Sequence, residues 1–493
     1  MKNEKTLINR RDFIKAGCWG ICAMSAPEAL SAEPRQERPN LVYVLVDQWR
    51  AQATGYAGDP NVKTPNLDRL SKQSVNFQNA VSVCPVCTPH RASLMTGRFP
   101  TSTGMFLNDL YLPDKTRCMG EIFQEAGYET AYIGKWHLDG HGRKSYIPPE
   151  RRQGFKYWKA EECDHDYNNL HYYAGDSQEI RHWEGYAPFA QTQDAQQYLG
   201  ANDKPFLLMV AYAPPHYPHE TAPKQFRDFY PPALIKLPPN VPKSMLKKAQ
   251  EEACGYYAHC TAIDKCIGDL LETIEESGLA RNTIFVFASD HGEMMGSHNV
   301  PPFEKQRPWD ESICVPFLLR YPAAHGQAGH VIKTPLNTPD IFPTLLSLAG
   351  IAIPGSVQGE DLSEVVSGRH IEQDRAALIM SVSPFAGYYK EKEFRGIRTS
   401  RYTYARSLQG PWLLYDNQSD PYQMDNLIDK PEHVLLQQKL DKRLWSELKR
   451  VGDDFRPAQY YLDKWGYHVD NQGNIPCPEK QQIDKVQSPK PQI

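Results

Sequence analysis

The sequence predicts an α/β protein with a large, mixed but mostly parallel central sheet flanked by helices, followed by a smaller antiparallel sheet plus a helix. Three observations carry this prediction. Short β-branched and aliphatic runs alternate with helix-periodic segments over most of the chain. After about residue 375, polar and aromatic residues alternate between turn signals, as in antiparallel strands. The 493 residues, 40% of them hydrophobic, are enough for a large core.

The predicted elements follow in order along the chain. Apolar runs that fit buried strands cover 40–47, 129–135, 204–212, 282–290 and 313–321. Helical periodicity covers 256–278, which stops at a glycine, and 338–350, which opens with a Thr-Pro-Asp cap. Another helix is predicted at roughly 431–450.

These elements suggest a division of the chain into segments. We expect a catalytic domain at 38–375, a C-terminal subdomain at 376–465 and a tail at 466–493. The first 32 residues predict an export signal of the twin-arginine type. Arg10 and Arg11 precede a short, weakly apolar run that is followed by small residues. We therefore expect an exported bacterial protein, periplasmic or extracellular.

Bulk properties argue against several classes of partner. The formal net charge of −4 indicates neither nucleic acid nor an anionic membrane surface as a partner. No apolar run is long enough to span a bilayer. Nine of the eleven cysteines follow the predicted signal, and they are scattered instead of forming a disulfide framework. Because nine is an odd number, at least one cysteine is free or chemically special.

Polar side chains stand at the ends of four predicted strands. They are Asp47 and Gln48, then Lys135 and His137, then His216, and finally Asp290 and His291. In open α/β sheets, ligands bind outside the carboxyl ends of the strands. A lone histidine is more often structural than functional, but polar groups at four strand ends predict one shared site.

The segment "CPVCTPHRASLMTGR" at 84–98 predicts a helix with a reactive start. Thr88 can act as its N-cap, Pro89 fits the first helical position, and Gly97 can end it. Cys87 then lies at a helix N-terminus, where a thiol is acidic and an anion is favoured. Arg91, one turn along, can hold Cys87 or a bound anion by charge-assisted hydrogen bonds.

The spacing of Cys84 and Cys87 also allows a redox or zinc CxxC motif. Zinc would need a second pair of ligands at a suitable spacing, and the sequence has none. A redox motif explains neither Arg91 nor the polar strand ends. We interpret Cys84 as a buried small residue.

Together these motifs resemble the signature of the type I sulfatases, which belong to the alkaline phosphatase-like superfamily. Cys87, Pro89 and Arg91, followed by "ASLMTGR", match Cys-x-Pro-x-Arg. The supporting motifs "VDQ", "GKWH", "PPHYPH" and "SDHGE" and the lysine of "PPFEKQRPWDES" follow in order over about 38–450. In that family the cysteine is oxidised to formylglycine by a maturation enzyme.

The resemblance implies sulfate-ester hydrolysis with a nucleophile at position 87. Hydrated formylglycine from Cys87 would attack sulfur, and its second hydroxyl would let the sulfated intermediate collapse to aldehyde and sulfate. One Ca²⁺ would bind Asp47, Gln48, Asp290, His291 and position 87. Gln48 stands where many members carry a second aspartate, and His291 stands where others carry asparagine.

The resemblance also assigns roles to the remaining polar residues. Arg91, Lys135 and Lys305 would surround the nucleophile and the sulfate. His216 or Lys305 would protonate the leaving oxygen, and His137 would hydrogen-bond formylglycine and help expel sulfate. His219 and His298 are expected in the pocket wall.

The expected substrate is a sulfated saccharide, because sugar rings stack on aromatic side chains and two aromatic-rich segments could form subsites. These segments are "EECDHDYNNLHYY" at 161–173 and "SPFAGYYKEKEFRG" at 383–396. Two alternatives stay open: a phosphonate or phosphate ester hydrolase of the same superfamily, and a sulfated-glycan binder in which Cys87 is unmodified. Relative activity on matched sulfate and phosphate esters discriminates them.

Overall fold

A computed structural model describes residues 38–476, apart from 114, 202–203, 370–373 and 389–390. The predicted export signal and the end of the predicted tail lie outside these residues. The strands are β1 Asn40–Asp47, β2 Val75–Phe77, β3 Ala80–Val81, β4 Glu129–Lys135, β5 Tyr157–Glu161, β6 His171–Ala174, β7 Arg181–His182, β8 Phe206–Pro215, β9 Thr283–Ser289, β10 Phe317–Arg320, β11 His330–Ile332, β12 Leu336–Asn337, β13 Ala376–Ser381, β14 Phe394–Thr399, β15 Tyr402–Ser407 and β16 Gly410–Asp416.

The helices flank these strands in sequence and in space. They are α1 Pro65–Ser71, α2 Cys87–Thr96, α3 Pro100–Thr103, α4 Met119–Glu125, α5 Ala187–Ala201, α6 Lys224–Arg227, α7 Leu246–Glu276, α8 Asp310–Ile313, α9 Pro322–His325, α10 Thr338–Leu348, α11 Ser363–Val366, α12 Val434–Val451 and α13 Ala458–Trp465. Over the described part of the chain, no helix has both the length and the apolar character that crossing a membrane requires.

The main sheet is mixed and mostly parallel at its centre, which confirms the predicted fold class. Its order among the described residues is β11-β2-β10-β9-β1-β8-β4-β5-β6-β7. Strand β1 runs parallel to both neighbours, with Val42 opposite Leu208 on one side and Phe285 on the other. β4 and β5 extend the parallel block, whereas β10 and β6 pair antiparallel to it.

Both faces of this sheet are buried, which is why its central strands are continuous apolar runs. Along β1, Tyr43 and Leu45 join the core on one face, whereas Val42 and Val44 join the core on the other. This alternation is the period of two expected of a strand. Helix α7 packs on the second face, and helices α2 and α10 lie on the first.

The parallel block brings the predicted polar strand ends to one edge of the sheet. β1 ends at Asp47 and β4 at Lys135, and the main chain continues their alignment beyond the strands. The N–H of Asp290 donates to Val46 O at 3.1 Å, and the N–H of His216 donates to Asp47 O at 3.1 Å. The topology therefore places these side chains within reach of one another.

The smaller sheet is an antiparallel meander in the order β13-β14-β15-β16, with α12 packed against it. This confirms the predicted antiparallel sheet plus helix. Arg398 in β14 pairs with Asp310 at 2.9 Å, which ties this sheet to helix α8. The buried pair Arg395–Asp453, at 2.5 Å, ties it to the segment after α12.

Several predicted boundaries are wrong. Thr88 is not the N-cap of α2: Val86 is, with an extended backbone, and Thr88 Oγ1 donates to His137 O at 2.9 Å. The strand predicted at 313–321 is limited to β10, because Pro316 has no N–H to donate to a ladder and Ile313 ends α8. Helix α7 begins ten residues before the prediction, since its first turns are polar and exposed.

Candidate active site

Cys87 lies at the centre of the site that the strand ends form. Its Sγ is 3.6 Å from Asp47 Oδ1, 3.3 Å from His291 Nε2 and 3.7 Å from Lys305 Nζ. All these side chains are buried. Burial and the charge of Asp47 oppose ionisation of the thiol, but Lys305 and Lys135 outweigh them, and the pKa of Cys87 falls well below its usual value.

Asp47 is held as a carboxylate by the cations around it. Its Oδ2 accepts from Lys135 Nζ at 2.7 Å and pairs with Arg91 Nη2 at 3.4 Å. Burial alone would raise the pKa of Asp47, but the charge of Lys135, with His216 and His291, holds it well below its usual range. Lys135 and Arg91 are also linked to each other, because Arg91 Nη1 donates to Lys135 O at 2.8 Å.

Asp290 provides the second buried carboxylate. Its Oδ1 accepts from the backbone N–H groups of Gln48 and His291 at 3.0 and 2.9 Å, and its Oδ2 lies 3.2 Å from Arg91 Nη2. Burial and the nearby charge of Asp47 raise the pKa of Asp290 to about 6. Two carboxylates this close favour a cation between them.

His291 points one ring nitrogen at both carboxylates. Its Nδ1 donates to the Gly292 carbonyl at 3.0 Å, so Nε2 is the atom that faces Asp47 and Asp290, at 3.4 and 3.5 Å. Burial alone would lower the pKa of His291, but the charge of Asp290 raises it to about 9. A proton on His291 therefore adds to the charges of Lys135 and Arg91 in compensating the two carboxylates.

These four side chains form a possible metal-binding group. One donor atom from each of Asp47, Cys87, Asp290 and His291 lies within 4.8 Å of the others. Gln48 sits beside them in a left-handed backbone conformation, with φ of 68°. Its Oε1 accepts from Lys305 Nζ at 2.8 Å. In this geometry Gln48 positions Lys305, and its role as a metal ligand stays a prediction.

His216 presents a lone pair to the cavity. Its Nδ1 donates to Tyr217 O at 2.8 Å, because a carbonyl can only accept, and Nε2 is left as the acceptor of the neutral ring. The ring stacks on His165 with centroids 4.7 Å apart and planes 6° apart. Burial, reinforced by the charge of Lys305, holds the pKa of His216 well below its usual value.

His137 is fixed by a carboxylate that the sequence did not reveal. Its Nε2 lies 3.2 Å from Asp109 Oδ1, and Asp109 also accepts from Arg143 Nε and Nη2 at 2.9 and 2.8 Å. Burial alone would lower the pKa of His137, but Cys163 and Asp109 raise it well above its usual value. Asp109 lies in no predicted motif, and Cys163 lies in the segment 161–173 that is predicted only as a sugar subsite, so the contact of both with His137 is identified only in the folded chain.

A cavity of about 1230 Å³ opens above Cys87. Both segments predicted as sugar subsites contribute to its wall, the first through Asp164 and His165 and the second through Phe385 and Gly387. Tyr389 and Lys390 of the second segment lie outside the described residues. Ile475, from the predicted tail, also lines the cavity, so the described part of that tail wraps back to the site.

Two predicted wall residues do not line this cavity. His219 pairs with Glu252 at 3.2 Å, and His298 stacks on Trp309 with centroids 4.5 Å apart. Both rings thus contact neighbouring elements instead of the cavity. A sequence motif predicts that a histidine lies near the site, but it does not determine the direction of its side chain. Cys84 is buried as predicted, and all eight described cysteines are free.

Comparison with known proteins shows the family. The family model for sulfatases matches residues 39–351, more than half of the chain. The model described as N-sulphoglucosamine sulphohydrolase, C-terminal, matches residues 296–450. The fold and the site thus define a hydrolase of the sulfatase class.

Individual relatives agree with these models. An ulvan-active sulfatase of Formosa agariphila is 55% identical over 87% of this chain and 85% of its own. An endo-4-O-sulfatase of Bacteroides thetaiotaomicron is 32% identical over 92% and 99%. A Bacteroides thetaiotaomicron structure solved in work on glycosaminoglycan metabolism superposes with a TM-score of 0.76, at 31% identity over 87% of this chain and 98% of that one. The chain belongs to the sulfatase family and is a sulfuric ester hydrolase.

Proposed function

We propose that this protein removes sulfate from sulfated carbohydrates outside the cytoplasm, with the nucleophile at position 87. The observation that carries the proposal is the position of Cys87, at the N-terminus of α2 and between two carboxylates and several buried cations. The cavity above it has room for a sugar. Two relatives are named for sulfate removal from ulvan and at a 4-O position, which supports a carbohydrate substrate.

Conversion of Cys87 to formylglycine would supply an oxygen nucleophile there. The chain's own groups support a nucleophile at this position. The positive end of the α2 helix dipole favours negative charge at residue 87, and Lys305 Nζ lies 3.7 Å from its side-chain atom. The Thr88 N–H is already engaged, because it donates to Asn108 Oδ1 at 3.1 Å, and Pro89 has no N–H. His137, whose pKa is raised by Cys163 and Asp109, would hydrogen-bond residue 87 and help release sulfate.

The donor set fits one divalent cation. Asp47 and Asp290 offer hard carboxylate oxygens that suit Ca²⁺, and Asp290 Oδ2, which is buried, accepts no hydrogen bond among the described residues and has Arg91 Nη2 at 3.2 Å as an ion-pair partner. We propose that Asp47, Asp290 and position 87 hold Ca²⁺, with Gln48 and His291 completing the set. When bound, the ion would act as a Lewis acid toward a sulfate oxygen.

The remaining cations and His216 act on the sulfate and the leaving group. Lys135 and Arg91 are engaged with Asp47, so they stabilise the site. Lys135 and Lys305 both line the cavity, and Lys305, which has no carboxylate partner among the described residues, can donate to a sulfate oxygen. We assign protonation of the leaving oxygen to His216, with Lys305 as the second candidate. An arriving sulfate anion favours the protonated ring, because an opposite charge nearby stabilises it.

The test compares matched sulfate, phosphate and phosphonate esters of one saccharide and one aryl alcohol, with protein matured in a host that converts the cysteine. We expect kcat/KM to be highest for the saccharide sulfate. Higher values for the phosphate or phosphonate ester would assign the protein to the related hydrolases. Saccharide binding without any turnover by matured protein would assign it to the glycan binders.

A further inference from the structure

One aromatic ring is exposed in the wall of the catalytic cavity. Tyr217 follows His216 directly and lines the cavity, and 38% of its surface is exposed. Phe303 and Phe385, the other Phe or Tyr residues reported in the described part of the wall, are half-buried and buried. Contact of aromatic surface with water is unfavourable in free energy, so a ligand that covers the exposed ring gains binding free energy.

The ring of Tyr217 is held in place from several sides. It stacks on His216 with centroids 4.4 Å apart and planes 28° apart, and its centroid lies 5.6 Å from His165 and 5.1 Å from Phe303. Its carbonyl accepts from Tyr167 Oη at 2.9 Å as well as from His216 Nδ1. A ring fixed in this way loses little conformational entropy when a ligand packs on it.

Tyr217 lies in the wall of the cavity in which the sulfate ester would react. His216, on which its ring stacks, is joined through its N–H to Asp47 O at 3.1 Å, and Lys305 of the same wall lies 3.7 Å from Cys87 Sγ. Cys87 and Tyr217 line the same cavity, so a sugar whose sulfate reaches position 87 enters the cavity that the Tyr217 ring borders. The C–H face of a pyranose is apolar and packs on aromatic rings by dispersion and surface burial.

We propose that Tyr217, supported by His165, His216 and Phe303, forms a subsite that binds the apolar face of the sulfated pyranose ring. The inference rests on the proposed carbohydrate function and deepens it. The subsite orients the sugar, so it acts on recognition of the saccharide and not on recognition of the sulfate. His165 and Phe303 are positioning residues, because they act through the Tyr217 ring.

The experiment distinguishes binding of the sugar ring from binding of the sulfate group. In Tyr217→Leu, which keeps apolar bulk but removes the ring, we expect KM for the best sulfated monosaccharide of a panel to rise about tenfold. The inhibition constant of inorganic sulfate should stay within twofold of wild type, because sulfate needs no ring. Tyr217→Phe should restore the KM, and Tyr422→Leu, at an equally exposed tyrosine outside the cavity wall, should leave it unchanged.

Other results would overturn the subsite. An unchanged KM in Tyr217→Leu would show that the ring does not bind the sugar, and the proposed function would stand. A parallel rise in KM and in the sulfate inhibition constant would show a general collapse of the site, which the melting temperature of each variant checks independently. If wild type hydrolyses an aryl sulfate but no saccharide of the panel, the carbohydrate function fails first, and the subsite fails with it.

Discussion

At the scale of single residues, Asp109 links the reactive centre to the cavity wall. One carboxylate oxygen accepts from His137, and both accept from Arg143. The carboxylate thus engages Nε2 of His137 and, together with Cys163, raises the pKa of the ring. The other nitrogen, Nδ1, is buried without a hydrogen-bond partner among the residues described.

Asp109→Asn should keep the hydrogen bond but remove the charge that stabilises protonated His137. We expect kcat to fall by about 10- to 100-fold with little change in KM, since the variant acts through His137 and not on substrate binding. Steady-state kinetics on a saccharide sulfate measure this. Asp416→Asn is the control and should leave kcat unchanged, because Asp416 lies outside the cavity wall and accepts from Arg401 Nε and Nη2 as Asp109 does from Arg143. An unaltered kcat in Asp109→Asn would show that His137 needs no counter-charge.

His216→Ala should affect substrates according to their leaving groups. For a saccharide sulfate, whose alkoxide needs a proton, we expect kcat/KM to fall by about 10²- to 10⁴-fold. For an activated aryl sulfate, whose leaving group departs without protonation, kcat/KM should fall far less. His298→Ala, outside the cavity wall, should match wild type on both. Equal losses on both substrates would remove the proton-donor role from His216.

At the scale of elements, a buried ion pair fastens the antiparallel sheet to the segment that follows α12. Arg395 in β14 and Asp453 are both fully buried, and the Arg395 guanidinium lies 4.8 and 5.5 Å from the ring centroids of Phe455 and Tyr461. Burial alone would raise the pKa of Asp453, but Arg395 holds it below its usual value. Each charge neutralises the other, so both side chains can be buried, whereas burial of either one alone would be strongly destabilising.

Arg395→Ala leaves Asp453 buried without its counter-charge, so the free energy of unfolding should fall by about 3–5 kcal/mol. Lys224→Ala, at the exposed pair with Asp228, should lower the free energy of unfolding by less than about 1 kcal/mol. Urea unfolding measures both. Because the folded pKa of Asp453 is lowered, the wild-type pair stabilises the fold above about pH 4. That stability is lost as the pH falls through the folded pKa. An equal fall in the free energy of unfolding in Arg395→Ala and Lys224→Ala would contradict a stabilising role for the buried pair.

At the scale of the whole molecule, the central strands and the clustering of polar residues at their ends were predictable because their signals are local. β1 and β4 are apolar runs that end in polar residues, and both match the predicted bounds. Asp109 and Ile475 reach the cavity only through tertiary contacts, so no local pattern indicates them. The prediction for Thr88 failed because its hydroxyl takes a partner from a distant loop, the carbonyl of His137.

Metal binding should stabilise the whole fold, because the ion would join the ends of β1, β9 and α2. We expect a chelator to lower both activity and the melting temperature, and Ca²⁺ to restore both. Free ion at 100 times its dissociation constant adds about 2.7 kcal/mol of stability. Asp290→Asn should lose the Ca²⁺-dependent shift in melting temperature. Full activity and an unchanged melting temperature in metal-stripped protein would argue against the ion.

The central claim is that residue 87 becomes the nucleophile, and the mass of the tryptic peptide 73–91 tests it most directly. The protein should be made in a host with a formylglycine-generating enzyme and assayed for saccharide sulfatase activity in the same preparation. We predict a peptide in which an aldehyde replaces the thiol-bearing group of Cys87, with turnover in proportion to its abundance. An unmodified thiol in a preparation that hydrolyses the ester at full rate would contradict the claim.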